Sequence, residues 1–129
     1  MIPFREELKE VRAIACIVRK AVEGIANYEN RKGMDYDYNS VSYLGGYCAR
    51  ASTLLSMALD RAHIMHEISG GNGHVFIEWR GRIVDVTATQ FNRRLGKTVI
   101  RTRRSLFKTL RNKYKSSFWD ELIHYSNVT

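Results

Sequence analysis

Cys16 and Cys48 are the only cysteines in 129 residues, too few for the disulfide framework on which small secreted domains rely. A reducing, cytoplasmic setting is the expectation. Long apolar runs are missing as well. No stretch approaches the ~20 residues that span a bilayer, and Arg5, Glu6, Glu7 and Lys9 stand where the apolar segment of a signal peptide would begin. The expected product is therefore soluble, with no transmembrane segment and no export. Repeats and low-complexity tracts are absent too. Acidic side chains disappear between Asp85 and Asp120, and ten Lys and Arg residues fall between Arg93 and Lys115. The net charge of +8 is thus a local feature of the C-terminal part, since the rest of the chain is close to neutral.

What is present suffices for one cored unit. Hydrophobic residues make up 44% and charged residues 26% of the chain, and domains cluster at roughly 100–150 residues. A single domain spanning 1–129 is expected, with its core at about 4–91 and a basic segment at 92–129. Leu8, Val11, Ala15, Val18, Val22 and Ile25 recur at helical spacing, which predicts a helix over 4–26. Glu7, Lys9, Glu10, Arg19 and Lys20 are assigned to its polar side, and Cys16, close to the stripe, reads as a small core residue. Residues 27–46 are polar, aromatic-rich and aperiodic, as in a long loop. Past Gly45 and Gly46, the residues Cys48, Ala51, Ser52, Leu55, Ala58 and Leu59 share one face of a second helix that Cys48 opens.

The remainder alternates and turns. Ile64–Ile68 reads as a short strand, and Gly70, Gly71, Asn72 and Gly73 as a turn. His74–Trp79 and Arg82–Thr87 flank Arg80 and Gly81 as a two-residue hairpin. A strand over Lys97–Thr102 follows, then a basic helix over Arg104–Lys113 with Leu106, Phe107 and Leu110 inward. Phe118–Tyr125 is expected to form a terminal helical turn or two.

A cysteine in the first turn of a helix feels the unsatisfied backbone N–H groups, which favour thiolate. Preceding glycines let a substrate backbone approach closely. Across the hairpin, Phe76 is expected to face Asp85 and His74 to face Thr87. Alternation then puts His74, Phe76, Glu78, Ile83, Asp85 and Thr87 on one face, and Val75, Ile77, Val84 and Val86 on the apolar face. His74 and Asp85 become diagonal neighbours, about 7–8 Å apart at the backbone. A carboxylate that holds one imidazole nitrogen leaves the other free to take a proton from a thiol. A one-residue slip would separate the two onto opposite faces. Phe76 and Glu78 share the His74 face, with Phe76 the better fit to a core.

Gly46-Tyr47-Cys48 with its helix, Gly73–Trp79, and Arg82–Phe91 resemble the core of transglutaminase-like, papain-fold cysteine enzymes, over about residues 44–91. The resemblance implies an α+β fold in which the cysteine helix packs on a small antiparallel sheet bearing histidine and aspartate. It further implies thioester chemistry on a protein or peptide. Cys48 would attack a carboxamide or peptide carbonyl, His74 would act as base and then acid, and Asp85 would orient His74. Water would resolve the acyl-enzyme in a peptidase or glutamine deamidase, an amine in a transglutaminase. No cofactor is needed. Candidates for the oxyanion or substrate side are Asn39, Tyr43 and Tyr47, with the backbone N–H of Tyr47 or Cys48. Gln90 reads either as polar support or as a loop residue.

Two other readings compete. Cys48, His63, His66 and His74 are zinc-competent types, but their spacing fits no zinc pattern, and no metal is expected. The basic segment, with Arg101, Arg103, Arg104, Lys108 and Arg111, suits nucleic acid or an acidic protein partner. In that alternative the Cys-His-Asp set is structural or inactive.

Overall fold

A computed structural model describes residues 2–30, 46–71, 73–91 and 93–107. Residues 31–45 of the loop predicted over 27–46, the basic stretch beyond 107 and the terminal turn at 118–125 lie outside these. Helix α1 runs Phe4–Asn30 and α2 runs Cys48–Arg61. Strands β1 (Glu67–Gly71), β2 (His74–Trp79), β3 (Arg82–Asp85) and β4 (Val99–Thr102) follow, and a short α3 (Arg103–Phe107) closes the described chain. The strands form an antiparallel sheet in sequence order. The class is α+β, with helices packed on a small four-stranded sheet. Among the described residues no helix is long and apolar enough to cross a membrane.

α1 extends four residues past its expected end, so Asn27–Asn30 are helix where a loop is predicted. Its buried stripe is Val11, Ala15, Val18, Val22 and Ala26. Cys16, expected in the core, is exposed, because it sits one residue, or about 100° at 3.6 residues per turn, from Ala15. Glu7 and Arg19, assigned to the polar side, are buried. Both are spaced four residues from stripe members, Glu7 from Val11 and Arg19 from Ala15, so the helix turns them inward despite their charge. Glu7 accepts from the Trp79 indole at 2.6 Å and from Arg80 Nε at 3.0 Å. This fastens the first turns of α1 to the end of the β2–β3 hairpin.

α2 begins at Cys48 as the pattern requires and buries Cys48, Ala51, Ser52, Leu55 and Leu59. It closes through backbone bonds from Ala62, His63 and Ile64 to Ala58, Asp60 and Leu59, with His63 in the left-handed region at φ 58°. That closure occupies the residues where a strand was expected to start. Ile64 becomes a buried anchor and β1 begins only at Glu67.

The hairpin has the expected register, Ile77 opposite Val84 and Trp79 opposite Arg82. Arg80 and Gly81 both have positive φ, 46° and 73°, the backbone of a type I′ turn whose twist matches the strands it joins. Both faces of the sheet are covered. Ile77, Trp79, Val84 and Val86 join α1 and α2 in one core. Phe76, Ile83, Ala88, Val99 and Leu106 form a second core on the opposite face, which confirms Phe76 as a core residue. β3 stops at Asp85, two residues short of Thr87, and β4 starts at Val99, two past Lys97.

Two glycines of opposite meaning provide a check on this backbone. Gly81→Ala puts a Cβ at left-handed φ and is expected to lower stability by about 1–2 kcal/mol. Gly24 lies inside α1 with open space where a Cβ would be, so Gly24→Ala is expected to raise stability by about 0.5–1 kcal/mol. Urea unfolding of the two variants should give shifts of opposite sign.

Candidate functional site

His74 opens β2 and Asp85 ends β3, and the hairpin register sets them diagonally on one face. His74 Nε2 and Asp85 Oδ2 are 2.6 Å apart, with the two side chains 0% and 2% exposed. A buried carboxylate is tolerated when its oxygens are hydrogen-bonded, and Asp85 meets that condition. Its Oδ1 accepts from the Thr87 backbone N–H at 2.8 Å and the Thr87 hydroxyl at 3.0 Å. These bonds turn the chain back toward Asp85, which is why β3 ends there and Thr87 leaves the ladder. Asp and Thr two apart form this local side-chain bond readily, so the signal was present in Asp85-Val86-Thr87.

Asp85 holds Nε2, which leaves Nδ1 as the other imidazole nitrogen. Gln90 Nε2 lies 3.5 Å from Nδ1 and donates to the Thr87 hydroxyl at 3.1 Å. Gln90 is thereby part of the polar cluster. Ring packing fixes the imidazole further, since it stacks on Phe76 at 5.8 Å and meets Phe91 edge-on at 4.6 Å between centroids. Phe91 was missed because a single aromatic after a short 3-10 turn has no periodicity.

The position of Cys48 follows from how α2 runs. Ser52 Oγ donates to the Val75 carbonyl at 3.0 Å, one turn after Cys48. One turn further on, Ser56 Oγ lies 2.6 Å from His66 Nε2, and the next residue, Glu67, pairs with Glu78. α2 therefore runs in the direction of β2, and its first residue lies at the end of the sheet where His74 begins the strand. The helix covers the Ile77 face whereas the imidazole is on the Phe76 face. The Cys48 helix and the imidazole thus stand on opposite faces of the sheet. Cys48 is 8% exposed yet belongs to neither apolar cluster of the described residues.

Tyr47, a candidate for the substrate side, has its ring in the first core and its hydroxyl on Glu29, donating to Oε2 at 2.6 Å. Arg50 pairs with the same carboxylate and lies over the Tyr47 ring at 5.5 Å. The start of α2 is in this way tied to the end of α1. Asn39 and Tyr43 lie outside the described residues, as do Lys108 and Arg111. Arg103 of the basic set forms an ion pair with Glu78, whose other oxygen accepts from Ser69 at 2.8 Å. Arg101 Nε donates to Ser105 Oγ at 2.9 Å, and Arg104 is exposed. His66 bonds Ser56 and, through Nδ1, the Ile64 carbonyl at 2.8 Å. No group of three metal-ligating side chains occurs among the described residues. Comparison of the chain with protein families, curated proteins and solved structures found no match.

The Tyr47 hydroxyl, and after it Arg50, hold the Glu29 carboxyl below its ordinary value of 4.5. Because the folded value is the lower one, the stability this contact contributes is present above pH 4.5 and is lost as pH falls through the folded value. Wild type should exceed Glu29→Gln in urea midpoint at neutral pH, and the gap should close in acid. A gap independent of pH would show that the charge is not what holds Tyr47.

Proposed function

We propose that the protein is a cysteine-dependent amide hydrolase or acyltransferase of the transglutaminase-like, papain-fold type, acting on a protein or peptide. The observation that carries this reading is the buried His74–Asp85 bond through Nε2, at the sheet end where Cys48 opens α2. In the reaction His74 Nδ1 takes the thiol proton, and the Cys48 sulfur attacks the carbonyl carbon of the substrate amide. The backbone N–H groups of the first turn of α2, which have no intrahelical acceptor, suit the oxyanion. As the C–N bond breaks, the imidazolium gives its proton to the leaving amine and a thioester remains. Water then gives a proton to Nδ1 and adds to the thioester, releasing acid and thiol; an amine in place of water gives transfer. Asp85 keeps Nε2 protonated throughout and stabilises the imidazolium.

Cys16 supplies an internal reference. It is exposed and Cys48 is buried, so accessibility alone makes Cys16 the faster thiol. Alkylation by iodoacetamide with peptide mapping is expected to show the reverse at neutral pH, with the Cys48 rate falling in His74→Ala. With a glutaminyl or peptide substrate, Cys48→Ala should abolish turnover with the fold intact, and His74→Ala should lower it by about 10²–10⁴-fold. A Cys48 that reacts more slowly than Cys16 and is indifferent to His74 would end this reading.

A further inference from the structure

Arg19 is the residue least expected where it stands. It is 5% exposed in the middle of α1, and desolvating a guanidinium is costly unless its donors are matched. They are matched on three sides. Nε donates to Glu23 Oε1 at 2.8 Å, and Nη1 donates to the Val86 carbonyl at 2.9 Å and to Thr89 Oγ1 at 2.8 Å. Val86 and Thr89 bracket Thr87, the residue that supplies both bonds to Asp85 Oδ1. Gln90, next in the chain, contacts His74 Nδ1.

We propose that Arg19 is a positioning residue for the imidazole, acting through the segment Val86–Gln90. This rests on the reading of Cys48, His74 and Asp85 given above. Past Asp85 the chain has left the β-ladder, and its backbone bonds, from Gln90 to Thr87 and from Phe91 to Ala88, are internal to one short turn and tie it to no other element. The guanidinium fork substitutes for that pairing, holding one backbone carbonyl and one hydroxyl from a helix on the other side of the first core. An unbroken series of hydrogen bonds and peptide links then runs from α1 through Thr87 and Asp85 to His74. Glu23 orients the fork from one turn away, and Lys97 Nζ approaches the same Glu23 oxygen at 3.8 Å. A lysine has the charge but lacks the planar fork that meets separate acceptors at once.

The same place offers a test that separates positioning from bulk stability. A cavity of about 190 Å³ lies over Arg19, lined also by Cys16, Lys20, Glu23, Lys97 and Thr98. Truncation in Arg19→Ala enlarges it, giving free guanidinium ion a route to the vacated acceptors. Two readouts apply to the full chain. One is the nitrogen NMR spectrum of the His74 imidazole, which reports its tautomer and titration without any need for catalysis. The other is the pH profile of Cys48 alkylation.

In wild type a single His74 tautomer, protonated at Nε2, is expected. In Arg19→Ala the signal should broaden or average between tautomers. Alkylation of Cys48 near neutral pH should slow by roughly ten- to a hundredfold. Millimolar guanidinium should restore both, while urea or sodium chloride at equal concentration should not. Arg19→Lys, which conserves charge and bulk, keeps the experiment decisive where the alanine variant fails to fold, and should fall between the two. An unchanged His74 spectrum and Cys48 profile in a folded variant, or a loss that guanidinium does not reverse, would overturn the positioning role while leaving the thiol reading standing. An inert wild-type Cys48 would instead refute the thiol reading, and the His74 spectrum would still decide the clamp.

Discussion

The two-residue turn at Arg80 and Gly81, with both residues at positive φ, allows β2 and β3 one register, and the site depends on that register. Side chains alternate along a strand, so pairing Ile77 with Val84 sends His74 and Asp85 to the same face, and a slip of one would send them apart. The face they share is closed by Phe76, Ile83, Val99 and Leu106. Burial of a polar pair there is unfavourable unless each group is matched, and the three bonds accepted by Asp85 supply the match.

α1 holds this arrangement from the other side of the sheet. Its two inward charges are twelve residues apart, about 18 Å along the axis at 1.5 Å per residue, and each fastens a different part of the β2–β3 unit. Glu7 takes the turn end through Trp79 and Arg80, and Arg19 takes the segment after Asp85 through Val86 and Thr89. Between them Val11, Ala15 and Val18 share one core with the sheet residues Ile77, Trp79, Val84 and Val86. The contacts are of different kinds for a physical reason. Apolar packing is non-directional and resists separation of the layers, whereas the charged bonds have defined acceptors and resist sliding. A third tie, Tyr47 to Glu29, sets the start of α2 against the end of α1.

The hairpin, the span of α2 and the shared face of His74 and Asp85 were legible in the sequence because each follows from local chemistry. Turn residues, a 3.6-residue period and a two-residue period are properties of neighbours in the chain. What was not legible is non-local or runs against residue type. Glu7 and Arg19 lie on the buried stripe by angle, but their charge argued for solvent, and only Trp79, Arg80, Val86 and Thr89, more than sixty positions away, explain their burial. β1 starts later than its apolar residues suggest, since Ile64 belongs to the closure of α2. β3 ends earlier because the Asp85 side chain competes for the Thr87 N–H. For the site, the pairing of histidine and aspartate could be derived and the spacing of Asp85 and Thr87 signals their bond, but the support from Phe91 and Arg19 could not be derived. The basic segment was legible as charge alone, and Arg103 shows why that is insufficient, since Glu78 neutralises it.

Which imidazole nitrogen the carboxylate takes has a chemical consequence. In the proposed reaction, with Nε2 on Asp85, proton transfer falls to Nδ1, the nitrogen nearer the backbone, so a partner must approach close to the start of β2 rather than reach past the ring. The ring has little freedom to exchange its nitrogens, as Phe76 stacks against one face, Phe91 meets it edge-on and Gln90 stands beside Nδ1. Gln90 Nε2 stands 3.5 Å from Nδ1, whereas the imidazole Nε2 is 2.6 Å from the Asp85 carboxylate. The two nitrogens thus meet different partners, a carboxylate at Nε2 and a carboxamide at Nδ1.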